Sequence, residues 1–176
     1  MRCSETVLAV NVGLFDVERH RWRHSLVKKH RTGSALGMPC EFLIDIERRL
    51  VISRGTGTFR YADFLEHMKT LGADPRFRPD FAHLVDCRKL EQIDMTPAQV
   101  QDTGSQSLFA AGSRRAFVVV SDLHFGLGRM FATYREVECD QTTVVFRDIR
   151  EASIWLGLPK DYDPDTLGEP TRVAGN

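Results

Sequence analysis

A chain of 176 residues that is 42% hydrophobic and 27% charged has the make-up of one globular domain with its own core. Lys and Arg number 24 against 24 Asp and Glu, which excludes an overall field that would recruit nucleic acid or an anionic membrane. No apolar run approaches the length of a membrane span, and the four cysteines lie too scattered for a zinc ribbon or a disulfide scaffold.

Charge is uneven along the chain. Residues 1–37 hold seven basic and three acidic residues and the remainder 17 and 21, so a basic arm precedes a mildly acidic body. The segment VLAVNVGLF is broken by Asn11 and follows Glu5, a poor signal-peptide core. Cys3, Cys40, Cys87 and Cys139 form no C-x-x-C pair, so free thiols in the cytoplasm are expected. His20 and His24 share a helical spacing, but no carboxylate or thiol supports them and HExxH is absent, so no metal is expected. The basic residues between Arg19 and Arg31, with Trp22, have the elements of a phosphate-contacting arm. One tryptophan is thin support, and nucleic acid is not the expected partner. Residues 1–37 read as a poorly packed arm, with the alternative that Met38-Pro39 is the natural start and the arm is an upstream extension.

The domain grammar occupies residues 38–159. Phe42, Ile44 and Ile46 alternate with polar residues, Glu47-Arg48-Arg49 makes a turn, and residues 50–53 resume an extended pattern, which together predict a β-hairpin. Gly55-Thr56-Gly57 invites a dinucleotide reading, but Arg60 stands where GxGxxG needs its third glycine, and the match is rejected. Thr58 is the expected N-cap of a helix carrying Tyr61, Phe64, Leu65, Met68 and Leu71 as a core stripe and ending at Gly72. Asp74-Pro75 and Arg78-Pro79 bound an irregular segment. Residues 81–85 then predict a short buried strand ending in Asp86-Cys87-Arg88, where open α/β sheets place their binding crevice.

Thr96-Pro97-Ala98-Gln99 is a capping box with proline at the first helical position. The helix it starts has a thin apolar face and is expected to be half exposed and available to a partner. Residues 116–120 are a β-branched and aromatic run that predicts a central parallel strand covered on both faces. Ser121 caps the helix that follows, with Leu123, Leu127, Met130 and Tyr134 as its expected core face. Gly126 and Gly128 each cost that helix about 1 kcal/mol, which points to a close approach by a strand, a partner or a ligand. Residues 142–146 predict a last strand, and Asp148-x-x-Glu151 starts a helix with Ile149, Ala152, Trp155 and Leu156 inward, ended by Gly157 and Pro159. Residues 160–176 are expected to form a mobile tail.

The predicted order is β-β-α-β-α-β-α-β-α, an α/β domain with a small mixed β-sheet of about five strands and helices packed against it. With the start MPCEFLIDIERRLV, the Gly57-Thr58-Phe59 junction, ADPRFRPDFAHLVDCR, SDLHFGLGRMF and VVFRDIREASIWLGL, about two thirds of the chain resembles the bacterial STAS-like proteins, labelled SpoIIAA-like or STAS/SEC14-type. The resemblance implies a cytosolic regulatory or protein-binding module, with a protein partner, no cofactor and no catalysis. In the sporulation antagonists of that group, a serine in an aspartate-serine-serine-glycine turn is phosphorylated and switches binding. Here residues 86–96 read DCRKLEQIDMT, so only Thr96 offers a hydroxyl at the helix start, with Arg88 or Lys89 to neutralise a phosphate. Asp86, Arg88 and Thr96 are therefore the candidate partner or phosphate-binding residues, although the simpler role of Thr96 is the cap. The SEC14 connection implies the alternative of an apolar small molecule or lipid held near Phe125, Gly126 and Met130. Cys87 with His83 or His124, and Asp86 as orienter, contains the elements of a Cys-His nucleophile. A buried structural cysteine is the commoner outcome, and an enzyme is not expected.

Overall fold

The computed structural model describes residues 40–162. Residues 1–37 and most of the 160–176 tail, with the expectations placed on them, lie outside the described residues. The hairpin at the start is present: β1 (Cys40–Asp45) pairs antiparallel with β2 (Leu50–Arg60), closing through Arg49 at φ 53. Then follow α1 (Tyr61–Gly72), β3 (Ala82–Asp94), α2 (Pro97–Ser105), β4 (Arg114–Val118), α3 (Asp122–Cys139), β5 (Thr142–Phe146) and α4 (Ile149–Trp155). The five strands lie in the order β1-β2-β3-β4-β5, with β2 to β5 all parallel. This is the five-strand mixed sheet and the element order expected.

Strand alternation divides the core in two. Leu50, Ile52, Leu84, Ala116 and Val118 point to the side covered by α4, where Ala152, Trp155 and Leu156 pack on them. Val51 and Ile44 point to the other side, beneath Leu71 of α1 and the Phe109 loop. That second face also carries α2 and α3, because each parallel strand-helix-strand unit crosses over with the same hand.

Several boundaries differ from expectation. The run at 116–120 is a strand only to Val118; Val120 is 57% exposed. β2 continues through Gly55-Thr56-Gly57 to Arg60, and Arg60, rather than Thr58, is the N-cap of α1. β3 runs on from the predicted end at Val85 to Asp94. The two overruns are one event. Residues 56–60 pair with 89–94 across two register shifts, and Gly57 takes φ 62, a left-handed conformation that costs glycine little. Polar sequence hid this pairing because the ribbon projects past the core.

The face of α3 is also rotated from expectation. Leu123 is 70% exposed, while His124 and Arg135 are buried. The cause is the close seat of the helix: a Cβ on Gly128 would lie 3.2 Å from Val145 of β5, and one on Gly104 of α2 would lie 2.5 Å from the Tyr134 Cβ. Gly128 thus answers to a strand, as predicted, whereas a Cβ on Gly126 would meet open space. Accordingly, Gly126→Ala is expected to stabilise the fold by up to about 1 kcal/mol, and Gly104→Ala to destabilise it by about 1–3 kcal/mol, as measured by urea denaturation.

Candidate functional site

Where β1 stops beside the longer β2–β3 ribbon, the α4-covered face opens into a groove of about 480 Å³. Arg54 and Asp86 are register partners, as are Glu41 and Arg54, so these three project side by side. Thr56, Arg88 and Lys89 complete the wall. Asp86 is buried, yet Arg88 grips it with Nε and Nη2, each 2.9 Å from a carboxylate oxygen, and with its backbone N–H at 3.1 Å. Burial pushes the Asp86 carboxyl up, but the Arg88 hydrogen bonds and the charges of Arg88 and Arg54 outweigh it and hold the group below the usual range. The α4 cap Asp148, bonded to the N–H groups of Arg150 and Glu151, stands near enough for Arg88 to help keep it ionised.

The structure therefore brings Asp86 and Arg88 together. It does not bring Thr96 to them: Asp94 already lies six positions beyond Arg88 along β3, about 20 Å of extended chain. Thr96 Oγ accepts from the Gln99 N–H at 3.3 Å while the Thr96 N–H donates to Gln99 Oε1 at 2.9 Å, so the hydroxyl serves as the cap. Phe125, Gly126 and Met130 lie on α3, on the opposite side of the sheet from the groove. Phe125 is half-buried beneath the Arg147 guanidinium at 4.6 Å, and Gly126 is exposed.

A second polar assembly lies inside the helix-covered face. Cys40 Sγ is 3.4 Å from His67 Nδ1, His67 Nε2 is 3.1 Å from Ser53 Oγ, and Ser53 Oγ is 2.8 Å from His83 Nε2. Sequence reasoning missed it. His83 lies on the face opposite Leu84, and both faces of this sheet are covered. His67 falls three residues after Phe64 and four before Leu71, and this position on the α1 stripe was the available signal.

The chemistry of this assembly is that of neutral groups. Burial pushes the Cys40 thiol up, with Cys87, Asp63 and Glu41 adding to it, and burial lowers His67 to about 4. His83 is lowered well below the ordinary value, by burial first and then by Arg115, His67 and Arg135. A thiol so raised beside an imidazole so weakened keeps its proton. Cys87 is pushed up to about 12 by burial and Asp86, and among the described residues it has no hydrogen bond to His83 or His124. His83 gives Nε2 to Ser53, and its Nδ1, like that of His124, has no partner. Among the described residues no group of three or more His, Cys, Asp or Glu is placed to hold a metal ion, and no helix is long and apolar enough to cross a membrane.

No family model matches the chain, and no curated protein matches it. A solved structure does. The chain is similar to the crystal structure of an uncharacterized protein of the DUF3478 family with a SpoIIAA-like fold from Shewanella loihica PV-4. The identity is 16%, the match covers 66% of this chain and 93% of that one, and the TM-score is 0.45.

The two lowered histidines set a pH dependence. The unfolded chain takes up a proton at His67 near its ordinary 6.5 and the folded chain only near about 4, so stability is retained above pH 6.5 and lost as pH falls toward 4. His67 alone accounts for about 3 kcal/mol of that loss, with His83 acting in the same direction. Thermal unfolding between pH 7 and 4 is expected to show it, with a shallower slope in His67→Gln.

Proposed function

We propose that this chain is a non-enzymatic, cytoplasmic protein-interaction module that docks an extended segment of a partner protein along the free edge of β3, beside the groove. One observation carries the reading. Beyond the Asp86–Val118 pair, β3 runs on to Asp94 with no strand on its β4 side among the described residues. Such an edge is a template for strand addition, in which backbone hydrogen bonds supply affinity and flanking side chains supply specificity. The exposed Val120 and Leu123 follow β4 just past Val118, the partner of Asp86, and offer an apolar anchor point, while Arg88 and Lys89 stand on the edge strand itself.

The absence of catalysis is part of the same reading. It is supported by thiols held protonated, by histidines held neutral, and by an Asp86 carboxylate already committed to Arg88. The capping geometry of Thr96 argues against a phosphate switch there. Gly128 is filled by Val145 and Gly126 opens to solvent, so neither glycine makes room for an apolar ligand.

The test is chemical crosslinking of the tagged full chain in its source cell, with the partner recovered and the crosslinks mapped. Lys89→Glu combined with Leu123→Asp is expected to lower recovery about tenfold, equivalent to about 1.4 kcal/mol, and Thr96→Ala to leave it unchanged. Recovery insensitive to the double substitution, or crosslinks mapping away from residues 88–94, would sink the reading.

A further inference from the structure

Across the helix-covered face, His83 of β3 pairs with Arg115 of β4, and Arg115 pairs with Thr143 of β5. Their side chains leave the sheet in one row. Each bears a buried polar atom that has no hydrogen-bond partner among the described residues: His83 Nδ1, Arg115 Nε and Thr143 Oγ1. Ser113 Oγ, in the turn that leads into β4, is a further unpartnered atom. Buried polar groups in folded proteins are almost always paired, so three orphaned atoms in neighbouring register positions, with a fourth in the turn just before β4, need a common explanation.

Their chemistry is that of donors. With the protonated Cys40 thiol assigned as donor to His67 Nδ1, His67 Nε2 becomes the donor to Ser53 Oγ and Ser53 the donor to His83 Nε2, an assignment that places the His83 proton on Nδ1. Arg115 Nε–H is a donor in every state, and the two hydroxyls are free to donate. Charge points the same way. Arg115 is only 3% exposed; its Nη2 bonds Ser107 Oγ at 2.9 Å and its guanidinium lies 4.2 Å from the Phe109 ring. Buried Arg135 repels it; Cys139 offsets that in part, and no carboxylate among the described residues does. A guanidinium keeps its proton even when buried, and a buried cation without a counter-charge is strongly disfavoured.

We infer that a small anion of about the size of chloride is held inside this row, accepting from Arg115 Nε–H and bordered by the hydroxyl of Thr143 and the ring N–H of His83. The anion is structural. It sits within the helix-covered layer, on the side of the sheet away from the groove, and the inference is independent of the edge-docking reading.

Bromide serves as the probe. The full chain is unfolded thermally at constant ionic strength while sodium gluconate is replaced stepwise by sodium bromide, and crystals grown in bromide are examined for anomalous scattering. The expected result is a saturable rise in Tm and a bromide peak within hydrogen-bond reach of Arg115 Nε. Arg115→Met is expected to lose the bromide dependence; if that variant does not fold, Thr143→Val is expected to weaken it. A Tm indifferent to bromide, a dependence retained undiminished in the variants, or no peak beside Arg115 would overturn the inference and leave water as the partner of these donors.

Discussion

The parallel pairing of β2 with β3 is the constraint on which the rest of this structure depends. It begins in the core, at Leu50 with Ala82, and ends in solvent, at Arg60 with Asp94. Its inner half aligns Ile52 with Leu84 under α4 and Ser53 with Val85 under α1. Among the described residues its outer half outruns β1 on one side and β4 on the other, and that mismatch shapes both the groove and the free edge. The register shifts between Arg54 and Thr56 and between Gly57 and Thr58 let the ribbon twist away from the sheet while its ladder continues.

The helix-covered face carries an unusual load for a protein interior. Ser53, His67, His83, Arg115, Arg135 and Gln141 are all buried there. Gln141 is tied by its amide to Ser107 Oγ at 2.8 Å and to the Phe109 carbonyl at 2.5 Å, and Arg135 donates to the Thr103 carbonyl at 2.9 Å. Phe109 links the parts: His83 stacks on it at 4.7 Å, while Arg115 lies at 4.2 Å. These contacts are directional, so they fix the angle at which α2, α3 and the loop before β4 meet the sheet. An apolar layer of the same volume would be more permissive about that angle.

Much of this architecture was legible in the residues. The Thr96 capping box, the Asp148 cap and the strand at 142–146 all stand where local chemistry placed them, because each is set by neighbours in sequence. The failures share a different cause. Residues 86–94 look like a loop, since their extension is dictated by β2 and not by their own pattern. Leu123 looks like a core residue, yet α3 lies so near β5 that only Gly128 fits at the contact, and the helix turns accordingly. Of the candidate site, Asp86 and Arg88 stood out as polar residues at the end of a buried strand, whereas their mutual grip appears only in the structure. The Cys40, Ser53, His67 and His83 assembly did not stand out, because four separate segments build it.

The crossovers after β2, β3 and β4 all land on one side of the sheet, so among the described residues α4 is the only helix on the other side. That helix and its flanks cover Leu50, Ile52, Leu84, Ala116 and Val118, residues synthesised long before it. A ribosome making this chain N-terminus first will therefore have extruded every strand while an apolar sheet face still lacks its cover. Until residues 149–155 emerge that face is exposed to chaperone capture or mispairing, and the docking of α4 is a late step of biogenesis.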